Sequence, residues 1–158
     1  MEIGARLMIL LLAAAPVSEL RGAIPYGILV ANMPVVDVFI LALLGNLLPV
    51  VPLFFGIQFV LNRLNRFRHT KKFGFWIVET TKRRAAIVER YEAIGLALFI
   101  AIPLPMTGAW TGTIAASLFK IRFRYALLAV IVGVLIAGVI VTILTLGGSR
   151  LFYLLYPK

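Results

Sequence analysis

The sequence predicts an all-α integral membrane protein made of two inverted repeats. Of its 158 residues 62% are hydrophobic, and the mean hydropathy of +1.04 is far above that of a soluble domain. Two apolar regions are interrupted by prolines and glycines, at residues 16–27 and 103–112, and the first interruption also carries Glu19 and Arg21. Lipid can neither solvate a charge nor hydrogen-bond to the backbone groups that a broken helix exposes. Such segments must therefore be buried in protein or line a water-filled cavity.

The composition also limits the chemistry that is available to the chain. It has no cysteine, which excludes disulfides and thiolate metal sites, and its one histidine, His69, lies in a basic stretch. The six acidic residues are scattered along the sequence, and Ser18 has no neighbouring base to activate it. We therefore expect no enzymatic activity, no metal and no cofactor.

The first predicted repeat begins with a re-entrant hairpin over residues 1–34. Its arms, 3–15 and 22–32, are 13 and 11 residues long, whereas a span needs about 20. Residues 1–15 look like a secretory signal, but Glu2 offsets Arg6 and cleavage would leave Pro16 first, so we expect them to be retained. A transmembrane helix follows over residues 35–61, and Pro49 predicts a kink near its middle.

Residues 62–92 are predicted to form a basic amphipathic segment at the cytoplasmic surface. Nine of the 16 Lys and Arg residues lie between Arg63 and Arg90. Apolar positions from Phe73 to Tyr91 follow a helical spacing, which favours a helix lying on the membrane. Within this segment we expect Lys82, Arg83 and Arg84 to contact anionic lipid headgroups.

The second predicted repeat follows the same order as the first. A re-entrant hairpin spans residues 93–122, a transmembrane helix spans 123–147 with Gly147 and Gly148 as its stop, and an interfacial tail covers 148–158. The pairs Gly22-Ala23 and Gly108-Ala109 occupy corresponding places in the two hairpins. Inverted repeats with broken helices that meet near the midplane are a transporter design.

Charge placement sets the predicted topology. If both hairpins return to the face they entered, the basic centre and the Lys120–Arg124 cluster share one face; if both cross, these clusters lie on opposite faces. The positive-inside rule favours the first arrangement, with the basic segment in the cytoplasm and both termini outside a multi-pass cell membrane. The same placement makes nucleic acid a poor explanation for the +10 charge.

The runs at 19–25 (ELRGAIP) and 103–112 (PLPMTGAWTG) resemble the DedA-like superfamily, also called the VTT or SNARE-associated superfamily. The branch described as small multidrug export proteins is the most similar, over roughly residues 5–146. The resemblance implies opposed re-entrant hairpins and transport of lipids, lipid carriers or drugs. In some members it also implies that the proton gradient drives this transport. DedA members carry arginines near the second proline motif, whereas this chain has no basic residue between Tyr91 and Phe119.

The predicted transport site is the pair of hairpin tips. Glu19 would carry a proton or recognise a cation, and Arg21 would hold an anionic headgroup, but the two could instead form a structural ion pair. Thr107 would contact the ligand or bond to the backbone of its own helix, and both alternatives are open. Trp110 would likewise stack on the ligand or pack at a helix interface. The full predicted set is Glu19, Arg21, Pro25, Pro103, Pro105, Thr107, Gly108 and Trp110, with Asn46 and Thr111 as further cavity residues.

Three classes of function follow from this sequence. The leading hypothesis is a DedA-like transporter or lipid translocase that moves an amphipathic cargo, proton-coupled through Glu19. A multidrug exporter of lipophilic cations is the alternative within that class, and a non-transporting membrane scaffold is the alternative from another class. Because two hairpins of this size shield each other poorly from lipid, we expect a homodimer.

Overall fold

The protein is all-helical over the residues that its structure, a computed structural model, describes: 2–66, 75–76, 79–80, 86–104 and 107–155. The predicted all-α class is therefore confirmed for these ranges. The α-helices are α1 (Glu2–Ala14), α2 (Glu19–Pro25), α3 (Val35–Leu47), α4 (Val50–Arg66), α5 (Ala86–Ala101), α6 (Ala109–Leu118) and α7 (Phe123–Leu155), and a π-helical turn (Tyr26–Val30) directly follows α2.

Two helical stretches are long and apolar enough to cross a membrane, Val35–Ile57 and Phe123–Ser149. They fall on the two transmembrane helices that the sequence predicts. The expected interruption of the first is also present, because α3 ends at Leu47 and α4 begins at Val50, on either side of Pro49. Proline lacks the N–H that a continuous helix needs and its ring displaces the preceding turn, which accounts for the break.

The chain forms two compact units. The first comprises Met1–Leu48 and Leu135–Lys158, and the second comprises Pro49–Val134. Helix α7 thus contributes its beginning to the second unit and its remainder to the first.

In the first unit, α1, α2 and α3 pack against one another. A Cβ built on Gly27 would lie 2.5 Å from Val38 of α3 and 3.0 Å from Ile9 of α1. Farther along both helices, a Cβ on Gly45 would lie 2.7 Å from the carbonyl oxygen of Leu10 and 2.8 Å from the Cβ of Ala13. The residue numbers on α1 and on α3 are both higher at the second contact than at the first, so the two helices run in the same direction. Helix α2 runs back between them as the returning arm of a hairpin.

The second unit contains matching close contacts. A Cβ on Gly112 of α6 would lie 2.5 Å from Ile100 of α5, and a Cβ on Gly133 of α7 would lie 2.8 Å from the carbonyl oxygen of Ala97. In each unit, therefore, a glycine of the long apolar helix lies against backbone of the first hairpin arm. Gly45 and Gly133, which make these contacts, are 88 positions apart.

The ends of the two hairpins match as well. Asn32 and Lys120 both adopt a left-handed backbone, with φ of 50° and 55°, three residues before α3 and α7 begin. In each case the following N–H returns to the preceding helical turn: Met33 donates to Gly27 at 3.0 Å and Ile121 to Ala116 at 3.0 Å. A left-handed residue of this kind ends a helix and redirects the chain.

The structure corrects two predicted boundaries. Helix α7 continues through Gly147 and Gly148 to Leu155, so the predicted helix stop is wrong, while the stretch apolar enough to span a membrane ends at Ser149. No described glycine has a positive φ, so neither of these residues forms a left-handed cap. The second arm of the first hairpin starts at Glu19 rather than Gly22. Helix α5 begins at Ala86 and has its backbone break at Glu92 (φ 46°), beside the predicted boundary at residue 93.

Replacing Gly45 or Gly133 by alanine is expected to destabilise the protein by about 1–3 kcal/mol. The added methyl would meet backbone carbonyl oxygens, which yield less readily than side chains, and this outweighs alanine's helix propensity of roughly 1 kcal/mol. Gly56→Ala is the matched control, because nothing lies within 4 Å of its Cβ position. Unfolding temperatures in detergent should fall for both core variants and hold or rise for the control; equal values for all three would contradict this packing.

Candidate functional site

The tip of the first hairpin is held closed by a serine. The Ser18 hydroxyl donates to the carbonyl oxygen of Leu12 at 2.6 Å, which ties the turn back onto the last turn of α1. A Cβ on Gly22 would lie 2.8 Å from the Ser18 Cβ, so the turn closes only over a glycine at that position. Ser18 thus fixes the backbone that presents the next residue, Glu19.

Glu19 occupies a strained and buried position. Its φ of 46° lies in the left-handed region, and the residue is only 6% exposed. For a non-glycine residue this backbone costs on the order of 1–3 kcal/mol and persists only where the surroundings hold it. Strain of this kind concentrates at functional sites, and here it falls on the one acidic residue of the hairpin tip.

Glu19 and Arg21 form a loose ion pair. Glu19 Oε2 lies 3.9 Å from Arg21 Nη2, beyond hydrogen-bonding distance, and the Arg21 side chain is 25% exposed. Residues two apart on a regular helix do not face each other, so the left-handed backbone at Glu19 is what allows this approach. The described backbone is left-handed at Glu19, so the tip is non-helical where the pair requires it.

Pro25 breaks the regular hydrogen bonding of α2. It has no N–H to give to the Arg21 carbonyl, and the next N–H, from Tyr26, goes to Gly22 and Ala23. The helix then widens into the π-helical turn, in which Ala31 donates to the Tyr26 carbonyl at 2.9 Å. The backbone of α2 is therefore irregular at both ends, at the left-handed Glu19 and at Pro25.

Asn46 places a further acceptor at the level of the tip. The residue is 1% exposed, and its Oδ1 accepts no hydrogen bond from any described part of the chain. Its neighbour Gly45 touches Leu10 and Ala13, and the Ser18 bond reaches Leu12, so Asn46 and the tip lie at similar heights along α1. A buried acceptor left unsatisfied costs about 1–3 kcal/mol, which a donating ligand would recover.

In the second unit, the predicted site residues fall on the connection between α5 and α6. Thr107 closes this connection locally: its Oγ1 lies 2.7 Å from the Ile102 carbonyl and 2.8 Å from the Leu104 carbonyl, and it accepts the Leu104 N–H at 3.2 Å. The alternative of hydroxyl bonding to nearby backbone is therefore the one seen for Thr107. Pro103 lies half-buried in the same connection.

Helix α6 begins immediately after this connection. Gly108 is its extended N-cap (φ −143°), and Trp110 and Thr111, both partly buried, lie in its first turn. A residue that the sequence did not single out, Thr113, donates to the Ala109 carbonyl at 2.6 Å within the helix. These contacts give the start of α6 a fixed shape.

The predicted site residues thus form two groups, each within one unit. Glu19, Arg21, Pro25 and Asn46 belong to the first unit, and Pro103, Thr107, Gly108, Trp110 and Thr111 belong to the second. Pro105 and the basic residues Lys82, Arg83 and Arg84 lie outside the described residues. Within the first group, Glu19 and Arg21 approach each other at the hairpin tip, and Asn46 lies on α3 at a similar height along α1.

Comparison with protein families gives one match. The model of the family described as "Putative small multi-drug export protein" matches residues 19–140. The chain belongs to this family. No curated protein and no solved structure shows a significant match to it.

Membership in this export family, together with the two long apolar helices, makes the chain a membrane protein. The family match starts at Glu19 and ends at residue 140, so it includes α2 and the first part of α7, while α1 and Ser18 precede it. Helix α1 nevertheless supplies the Leu12 carbonyl that holds Ser18 and the Leu10 backbone that meets Gly45. The export-family region therefore depends on a helix outside the match.

Ser18 is the positioning residue that sequence reasoning missed. From the sequence Ser18 is only a candidate nucleophile without a base, whereas in the structure its hydroxyl donates to the backbone carbonyl six residues earlier. The available signal was its position four residues before Gly22, a spacing at which two small residues let backbone segments come close.

Ser18→Ala is expected to loosen the hairpin tip at a cost of about 1 kcal/mol, because it removes the bond to Leu12. Both the unfolding temperature and cargo transport should fall. Ser149→Ala is the matched control, since its hydroxyl makes a comparable 2.9 Å bond to the Leu146 carbonyl at an exposed site. Unchanged transport by Ser18→Ala at a lowered unfolding temperature would show that the tip geometry does not matter for function.

Proposed function

We propose that this export-family member moves an amphipathic cargo across the membrane through a site between two opposed re-entrant hairpins. The cargo classes are a lipid phosphate, a phospholipid headgroup and a small lipophilic molecule. One observation carries the proposal: Glu19 is 6% exposed, on left-handed backbone, within an otherwise apolar hairpin. Ionisable groups are expensive inside a membrane and are typically retained there for function.

Helix lengths support the re-entrant form of the first hairpin. Helix α1 has 13 residues, which is about 20 Å, and α2 with its π-helical turn has 12, Glu19 to Val30. Neither arm reaches the roughly 30 Å of a bilayer core. The returning arm α2 leads into α3, which runs in the same direction as α1. This order is expected of a re-entrant hairpin followed by a transmembrane helix.

The matching contacts of the two units support two copies of one plan. Equivalent glycines meet equivalent arms, and equivalent left-handed residues end both hairpins. If the two copies are inverted in the membrane, as the basic clusters favour, the tips approach the midplane from opposite faces. An alternating exposure of the tips to the two sides would then move cargo.

The chemistry of the first tip favours a lipophilic cation among the cargo classes. A carboxylate and the Asn46 amide oxygen are both acceptors, and a protonated amine would donate to them. The description of the family as a multi-drug exporter agrees with this choice. Arg21 would then leave Glu19 when the cation binds, and it would be the residue that meets an anionic headgroup if lipid is the cargo.

Glu19→Gln is expected to abolish transport while leaving expression and folding intact, because the amide can neither carry a proton nor balance a cation. Purified protein in liposomes would be tested for efflux of a fluorescent lipophilic cation and for flipping of a labelled phospholipid, with and without a proton gradient. Glu79→Gln is the control for loss of one carboxylate, since Glu79 is exposed.

The same assays separate the alternatives. If the protein is a drug exporter, the wild type exports the cation without flipping lipid, and Glu19→Gln loses the cation efflux. If it is a lipid translocase, the wild type flips lipid without exporting the cation, and Glu19→Gln loses the flipping. A non-transporting scaffold would show neither activity and would be impaired most by neutralising Lys82, Arg83 and Arg84. Full activity of Glu19→Gln in either assay would refute the role given to this carboxylate.

A further inference from the structure

A cavity of about 680 Å³ lies in the first unit at the end opposite the hairpin tip. It is lined by the beginning of α1, the π-helical turn and the beginning of α3. Arg6, on α1, precedes the end of that helix at Ala14 by eight residues, which is about 12 Å along the axis. The cavity is therefore separate from the Glu19 site and lies at the mouth of the hairpin.

The lining of this mouth cavity combines both signs of charge with apolar surface. Arg6 and Asp37 are its charged residues, both exposed, and Tyr26 and Asn32 add a hydroxyl and an amide. Val30 and Met33 are among its apolar lining residues. A large, partly apolar cavity with a few convergent polar groups is the usual form of a small-molecule site.

The π-helical turn shapes the cavity wall. Its wider spacing, seen in the Ala31 to Tyr26 hydrogen bond of 2.9 Å, puts Tyr26 and Val30 at the same opening. The left-handed Asn32 then turns the chain toward α3, so Asp37 comes to the other side. Turns of this type occur frequently at functional sites.

We propose that the mouth cavity binds the zwitterionic headgroup of a phospholipid that carries a phosphate and a primary ammonium group. Arg6 meets the phosphate, Asp37 accepts from the ammonium group, and the apolar wall meets the glycerol and the first methylenes of the acyl chains. A purely anionic headgroup would be repelled by Asp37, and a purely cationic ligand by Arg6. A ligand that carries both charges complements both residues.

This inference does not depend on transport through the Glu19 site. If the hairpin is re-entrant, its mouth lies at the membrane surface, where headgroups are concentrated and where an arginine and an aspartate remain partly hydrated. Asp37 also lies in the first turn of α3, where a negative charge favours the helix dipole. That effect stabilises the helix but predicts no selectivity among headgroups, so lipid selectivity distinguishes the two roles.

The test is lipid retention measured by native mass spectrometry of the purified full-length protein. The protein is incubated with equal amounts of phosphatidylethanolamine and phosphatidylglycerol in detergent. We expect phosphatidylethanolamine to be retained about tenfold more, the equivalent of one charge-assisted hydrogen bond. Arg6→Gln should lower retention of both lipids about tenfold, whereas Asp37→Asn should remove only the preference between them.

Two controls make the result specific. Arg124→Gln removes an exposed positive charge in the second unit and should leave both retention and preference unchanged. Arg122→Gln, which removes another exposed positive charge of the second unit, should also leave them unchanged. Equal retention of the two lipids by the wild type, or a preference that survives Asp37→Asn, would overturn the proposal. If Arg6→Gln does not fold, the Asp37→Asn result alone decides the test.

Discussion

The first unit is organised by one constraint: a carboxylate inside an apolar hairpin must be held by protein rather than by lipid. Glu19 is buried, its backbone is left-handed, and its approach to Arg21 depends on that backbone. Ser18 holds this turn by bonding to α1, and Gly22 allows the turn to close over it. Helices α1 and α3 therefore serve as the support that keeps an unfavourable group in place.

The second constraint is close approach between helices. Without water to drive helices together in lipid, small residues permit the contact that stabilises a bundle. Gly45 and Gly133 bring the long apolar helices against backbone of the first hairpin arms. Because both units use this device at equivalent positions, each hairpin is fixed to the long helix that follows it, and a motion of one would carry the other.

The sequence predicted the helical class, the two long apolar helices and the interruption at Pro49, because hydropathy and proline chemistry are local properties. It failed at the two glycines 147–148, which indicated a stop: glycine also tolerates helical backbone, and α7 continues through both to Leu155. It failed as well where a longer-range contact decides. The bond from Ser18 to Leu12 and the cavity between Arg6 and Asp37 depend on folding, and no local pattern reports them.

The central claim is that both hairpins return to the face they entered, so that the two basic clusters share one face. Because the chain has no cysteine, single cysteines can be introduced at Arg83, Arg122 and Ile3 and labelled in sealed, oriented vesicles with a membrane-impermeant maleimide. The account predicts that positions 83 and 122 react from the same side and position 3 from the opposite side. Reaction of positions 83 and 122 from opposite sides would contradict it.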